Sequence, residues 1–230
     1  MIGNIAHQWR QPLSVISSSA TGMQMQKEWG LSTKESEDVF LNSINESAQH
    51  LSKTIDDFRY FFKPDKKKVK FDLGEAYQKT LRLVSAKLQS KEIEIIENIN
   101  TVELYGLDSE LIQVIINLLN NASDALENKQ NQRKLIFVHI LLENNNAVLK
   151  VKDNAGGVPP EIISKVFEPY FTTKHQSQGT GIGLFMCQEI IQKHMHGSID
   201  VENIEYTYED ELYTGAQFTL VLPLEDNILA

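Results

Sequence analysis

One stretch constrains the fold more than any other: Leu111 to Leu126, LIQVIINLLNNASDAL. Leu111, Ile115, Leu118, Ala122 and Leu126 recur at helical spacing, which predicts an amphipathic helix with that face in a core. Asn117, Asn121, Asp124 and Asn128 recur at i, i+4, i+7 and i+11 along another face. Carboxamides are weak helix formers, and burying them requires hydrogen-bond partners. Such a face is either a solvated stripe rich in Asn or one wall of a polar site, and the residues downstream decide between the two.

The chain has 230 residues, 41% hydrophobic and 23% charged, enough for one sizeable core and a smaller unit and inconsistent with disorder. Its formal net charge of −9 disfavours a nucleic-acid partner. The single cysteine, Cys187, forms no internal disulfide, fits a reducing compartment and sits in an apolar helical pattern as a small core residue. No apolar run reaches transmembrane length and the N-terminus has no signal-peptide pattern, so a soluble chain without membrane contact is expected. The patterning starts at once, in MIGNIAHQWRQP, so the chain is expected to be the C-terminal part of something longer.

In chain order, Ile5, Trp9, Leu13, Ile16, Ala20 and Met23 step by fours and threes and predict a helix over residues 1 to about 30. His7, Arg10, Gln11, Ser14 and Ser18 lie off that stripe, on the exposed side, and Pro12 is expected to bend the helix. Gly30 and Ser32 mark a turn, and Ser32-x-x-Glu35 predicts a capping box for a second helix striped by Phe40, Ile44, Ala48, Leu51, Ile55, Phe58 and Phe62. Such a hairpin has one seam and too little core of its own, so pairing with a second copy into a four-helix bundle is expected. The basic stretch Lys63 to Lys70 reads as an interdomain linker, with an anion-binding patch as the alternative.

Beyond it, a short strand at Val69–Asp72 and a helix capped by Asp72 and running to about Gln89 are predicted. A strand over Glu92–Ile99 precedes the central helix, which opens at Asp108. Strands at Leu135–Leu142 and Ala147–Lys152 flank an Asn-rich turn, Asn144 to Asn146. Helices at Pro160–Phe167 and Gly183–His194 and strands at Ser198–Asn203 and Ala216–Leu222 complete the pattern, with Glu205 to Thr214 as an exposed connection. The expectation is an α+β chain: a helical hairpin over 1–63, a linker over 64–71, and over 72–230 a mixed sheet covered on one face by helices.

Three further segments carry chemistry beside the Asn face. Asp153-Asn154-Ala155-Gly156-Gly157 follows a strand, where a carboxylate and paired glycines admit a flat ring; a tight turn is the plain alternative. Gly179-Thr180-Gly181-Ile182-Gly183 opens a helix and offers backbone N–H groups to phosphate. Phe167 to Lys174, with the polar run His175 to Gln178, reads as a lid carrying a lysine.

Taken in this order and spacing, these segments resemble the N, G1, F and G2 boxes of the ATP-binding domain of sensor histidine kinases. The helical hairpin resembles their dimerisation and phosphotransfer domain. His7-Gln-Trp-Arg-Gln-Pro12-Leu is similar to the family's H box, and Gly215 to Pro223 is similar to its closing strand. The Thr172-Thr173-Lys174 lid with GTGIGL is similar to the nitrogen-regulator subgroup. The resemblance covers nearly the whole chain.

It implies a homodimer that uses ATP and Mg²⁺ to phosphorylate His7 and passes the phosphoryl group to an aspartate in the receiver domain of a response regulator. It implies that Asn121 coordinates Mg²⁺, with Asn117 one turn earlier, and that Asp153 accepts a hydrogen bond from the adenine amino group. Gly157 keeps the ring slot open, Gly179, Thr180, Gly181 and Gly183 form the phosphate-facing hinge, Lys174 reaches the γ-phosphate, and Thr219 supports adenine through water. A cytoplasmic location is implied, with the full-length protein anchored in a membrane.

Three positions depart from the family. Gln8 stands where an acidic residue usually follows the phosphoacceptor, and an amide takes no proton, though it can hold one imidazole tautomer. Gln11 stands where Thr or Asn orients a hydrolytic water. Ala155 replaces the first glycine of the G1 box. Related ATPases of the chaperone, topoisomerase and mismatch-repair type share NNASDAL-like segments but carry Glu at the position of Asn117 to activate water. A direct ATPase is therefore one alternative, and a dimeric scaffold that binds nucleotide without transfer is another.

Overall fold

The computed structural model describes residues 2–61, 67–128, 133–173 and 180–224, and the side-chain surroundings of these except at 2–9, 11, 50, 53–61 and 128. The chain divides into two compact units: Met1–Lys63 with Tyr170–Ile182, and Pro64–Pro169 with Gly183–Ala230.

The first unit is built on α1 (Ile2–Glu28) and α2 (Lys34–Phe61), which pack together. α1 stays helical through Pro12. Gly30, at φ 66°, ends it: its N–H bonds to Lys27 O at 3.2 Å, and that of Leu31 reaches Gln26 O at 2.9 Å, a left-handed helix stop. The capping box lies one residue later than predicted. Thr33 Oγ1 accepts from Ser36 N at 3.2 Å and Ser36 Oγ accepts from Thr33 N at 3.1 Å. α2 starts at Lys34, so the third helical position is Ser36, whose hydroxyl does the work expected of Glu35. Ser32 instead donates to Glu37 at 2.7 Å. That bond and Lys27 hold the Glu37 carboxyl below its ordinary range.

The predicted seam is also shifted. Ser19 is buried, whereas Leu13 and Ala20 are exposed. Small residues allow close approach, as at Gly22, where an added Cβ would lie 3.0 Å from the Phe40 ring. Leu13, Val15, Met25, Val39 and Leu41 stay exposed on these two helices. Phe40, Ile44 and Leu51 are half-buried and Ala48 is exposed, while the side chains of Ile5, Trp9, Ile55, Phe58 and Phe62 lie outside the described residues.

The second unit is a five-stranded mixed sheet in the order β2-β4-β5-β7-β6, with β2 parallel to β4 and the other pairs antiparallel. Its strands are β2 (Ile93–Ile99), β4 (Lys134–Glu143), β5 (Asn146–Asp153), β6 (Ser198–Tyr208) and β7 (Glu211–Pro223). A separate antiparallel pair joins β1 (Val69–Asp72) to β3 (Glu103–Gly106), a four-residue strand that carries too little pattern to be read from the sequence. Helices α3 (Leu73–Ser90), α4 (Asp108–Ala125) and α6 (Gly183–Glu189) pack on one another and on the sheet. The architecture is α+β, as predicted. No helix among the described residues is long and apolar enough to cross a membrane.

Asp72 fixes the entry to α3. One carboxylate oxygen accepts from Glu75 N at 2.8 Å and the other from Val102 N at 2.7 Å, tying the helix start to the β2–β3 connection. The apolar face of α4 is the core: Leu111, Ile115, Leu118, Ala122 and Leu126 are all buried. Asn144 and Asn145, both at positive φ, close the β4–β5 hairpin. α5 is one turn, Pro160–Ile163, rather than a helix reaching Phe167. α6 ends in a π-helical turn, Ile190–His194, where His194 Nδ1 lies 2.8 Å from the buried Glu110 carboxylate. β6 and β7 overrun the predicted connection, leaving only Glu209 and Asp210, both at positive φ, as the turn.

Candidate functional site

Asp153 ends β5 and is 3% exposed. Its Oδ1 accepts from Ala155 N at 2.9 Å and Ala216 N at 3.2 Å, while its backbone carbonyl accepts from Tyr206 Oη at 2.9 Å. A buried carboxylate in such a frame is a rigid acceptor, its desolvation offset by hydrogen bonds. The next residue, Asn154, is a structural amide: it accepts from Leu135 N at 2.9 Å and donates to Arg133 O at 2.8 Å.

The loop that follows turns on glycines. Gly156 (φ 97°) donates to Thr214 O at 2.9 Å. Gly157 (φ 85°) faces Asn203, whose carboxamide an added Cβ would meet at 2.5 Å. The space beside this glycine is thus occupied by Asn203, which accepts from Val158 N and donates to Val158 O, each at 2.7 Å.

The Asn face of α4 divides. Asn117 and Asn121 are half-buried. Asn120 accepts from Lys87 at 2.7 Å, and Asp124 pairs with Lys91 at 3.4 Å and Lys87 at 3.7 Å, so Asp124 belongs to the α3–α4 seam. The side chain of Asn128 lies outside the described residues. Gly183 opens α6 against Asn117, whose Oδ1 would lie 3.4 Å from an added Cβ. One turn on, the fully buried Cys187 thiol has its pKa pushed up to about 12 by burial, with a hydrogen bond to Asn117 acting the other way.

Thr219 lies on the other face of β7 from Phe218. On β7, Phe218 pairs with Val151 and shares its face with Asp153, whereas Thr219 pairs with Lys150 and Asp200 on the opposite face. The β7 residue that meets Asp153 is Ala216, through its backbone N–H.

In the first unit, Tyr170 N donates to Gly181 O at 2.8 Å and closes the base of the predicted lid. Gly181 (φ 64°) admits no side chain, since a Cβ would lie 2.4 Å from the Tyr170 backbone. Thr180 Oγ1 accepts from Ile182 N at 3.4 Å. Lys174, His175 to Gln178 and Gly179 lie outside the described residues. His7, Gln8 and Gln11 are on α1, with side-chain surroundings outside the described residues. Of the exposed positions predicted there, Arg10, Ser14 and Ser18 are exposed.

The second unit therefore offers a fixed carboxylate and a glycine loop at the end of β5, beside the amide-bearing helix α4, which packs on β5. The carboxylate suits an N–H donor on a flat heterocycle, and carboxamide oxygens are hard ligands suited to Mg²⁺. No group of three or more His, Cys, Asp or Glu that could hold a metal ion occurs among the described residues. Mg²⁺ is commonly held by one or two protein oxygens together with substrate phosphates, and this donor set fits that case.

Comparison with known proteins adds two domain matches. Residues 106–226 match the family described as histidine kinase-, DNA gyrase B-, and HSP90-like ATPase, and residues 1–67 match the His Kinase A (phospho-acceptor) domain. Among curated proteins, the chain is 30% identical to the two-component sensor PprA of Pseudomonas aeruginosa over 97% of its own length and 24% of that protein. It is also 30% identical to the sensor histidine kinase ZraS of Salmonella typhimurium, over 97% of this chain and 45% of that one. It thus spans less than half of either relative. Among solved structures, the catalytic domain of histidine kinase ThkA covers 68% of this chain and 95% of its own at 28% identity, with a TM-score of 0.57. ThkA in complex with the response regulator protein TrrA shares the fold over 99% of this chain and 62% of that one, at a TM-score of 0.67 and 20% identity.

Proposed function

Because this chain belongs to the histidine kinase-, DNA gyrase B- and HSP90-like ATPase family and carries a phospho-acceptor domain ahead of the ATPase domain, we propose that it phosphorylates its own His7 from ATP and passes the group on to an aspartate of a response regulator receiver domain. The observation that carries the reading is Asp153, a buried carboxylate whose orientation is set by two backbone N–H groups. That is what selective binding of an amino-substituted purine requires.

The roles follow from the chemistry. Asp153 takes the adenine amino group. Asn121 would hold Mg²⁺ and Asn117 lines the same pocket. The ion, when bound, would supply charge neutralisation at the phosphates. Thr180, Gly181 and Gly183, with Gly179 and Lys174, form the phosphate side, and Gly157 shapes the loop beside the ring. Phosphoryl transfer depends on in-line positioning and charge compensation, and a neutral imidazole such as that of His7 is a competent nucleophile. Gln8 fixes the tautomer of that ring, and Gln11 orients a water that hydrolyses the phosphoaspartate of the regulator, releasing inorganic phosphate.

An amide at Asn117 does not act as general base, so ATP is spared from water and kept for transfer. This separates the reading from a direct ATPase. The exposed apolar residues of α1 and α2 support a homodimer. The lid and GTGIGL support a nitrogen-regulator-like subgroup, and a cytoplasmic location fits the single thiol.

Incubation with γ-labelled ATP tests the proposal. Acid-labile label on the protein, lost in His7→Ala and in Asp153→Ala, is expected. Released phosphate without label would make it an ATPase, and neither product would leave a nucleotide-binding scaffold.

A further inference from the structure

The β6–β7 hairpin does more than close the sheet. The ladder between β5 and β7 ends at Lys152–Gln217, and just past it β7 comes so close that a Cβ at Gly215 would lie 1.7 Å from Asp153 O. That carbonyl takes the Tyr206 hydroxyl at 2.9 Å. Three residues earlier on β6, Asn203 holds Val158 by both N–H and C=O, at 2.7 Å each. An odd separation puts the two side chains on opposite faces of the strand, so β6 grips the loop Asp153–Val158 at both ends, from both sides of the sheet. Between them, Gly156 N bonds to Thr214 O of β7.

Tyr206 is itself held. Its ring stands edge-on to Phe137, centroids 5.3 Å apart, and the Lys152 ammonium lies 3.7 Å from its centroid. Burial pushes the phenol well above its ordinary range, so it stays a donor at any physiological pH. A glycine-rich loop is entropically costly to order on binding, and ordering it beforehand raises affinity for whatever Asp153 must meet in one orientation.

We propose that the β6–β7 hairpin is a clamp on the base-recognition loop, with Tyr206 and Asn203 as positioning residues that set nucleotide affinity and base preference. The proposal rests on the reading of Asp153 as the adenine acceptor.

The test is equilibrium binding to the full chain of ATP and of purine riboside triphosphate, which lacks the 6-amino group. Tyr206→Phe keeps the ring and removes one hydroxyl. It is expected to weaken ATP about three- to tenfold, the loss of one hydrogen bond, while the analogue changes less, so the preference for ATP narrows. Asn203→Ser is expected to act in the same direction. Tyr213→Phe, whose hydroxyl bonds to Glu211 instead, is expected to leave both ligands unchanged. Retention of ATP affinity and base preference within about twofold in Tyr206→Phe, or an equal loss for both ligands, would overturn the clamp. A wild-type chain that binds ATP with base preference yet never labels His7 sinks the kinase reading alone, and the same titration still judges the clamp. A wild-type chain without affinity for ATP sinks both.

Discussion

At the scale of single residues, the site is held by groups with no room to move. Gly215 is the tightest case: a Cβ would lie 1.7 Å from the Asp153 carbonyl, and neither backbone can yield without breaking the Ala216–Asp153 bond. Gly215→Ala is expected to cost ~1–3 kcal/mol or more and to weaken ATP binding, read by thermal denaturation and nucleotide titration. Cys187 makes the opposite point. It is fully buried, with its thiol pushed up to about 12, so it should resist alkylation at pH 8 in the native protein and react fully in denaturant. Rapid native labelling would show that α6 does not pack as described. Asp153 and Cys187 were legible in the sequence, one by its place at a strand end and the other by its apolar helical setting. Asn203 and Tyr206 were not, because nothing local marks a strand residue whose partner is 45 or 53 positions away.

At the scale of elements, the caps show which ends are tied to the rest. Asp72 serves two backbone N–H groups, one on α3 and one on the β2–β3 connection. Asp72→Ala leaves both without that partner and is expected to cost ~1–3 kcal/mol in urea denaturation of the second unit. Thr33 serves an exposed helix start, and Thr33→Ala is expected to cost only ~0.5–1 kcal/mol and to be felt in the hairpin alone. Periodicity found α4, and the turn residues Asn144 and Asn145 found the β4–β5 hairpin. The same reading missed β3 and misjudged α5, because four residues hold only two periods of a strand or about one of a helix, too few to establish a pattern.

At the scale of the molecule, the hairpin presents exposed apolar side chains and the sheet holds a histidine shifted by its surroundings. Leu13, Val15, Val39 and Leu41 are exposed on the hairpin, and a second copy is proposed to cover them. Leu13→Glu is expected to shift the chain toward monomer in sedimentation while ATP binding by the second unit persists. His139, on the face of the sheet shared with Lys150 and Lys152, has its pKa lowered from 6.5, first by burial and then by those two lysines. The unfolded chain therefore binds more protons than the folded one as pH falls below 6.5, and stability is lost in that direction. His139→Gln is expected to flatten the acid limb of a stability–pH curve, and an unchanged limb would exclude His139 as its source.

The sequence alone determined the α+β architecture, the order of the boxes and the buried face of α4, since each depends on spacing within one element. Only the tertiary structure decided which face of a strand a residue occupies relative to its distant partners. A shift of one position turns every side chain to the other side of a sheet. That is why Thr219, one residue from the buried Phe218 and one from the buried Leu220, stands away from Asp153, while the backbone of Ala216 meets it.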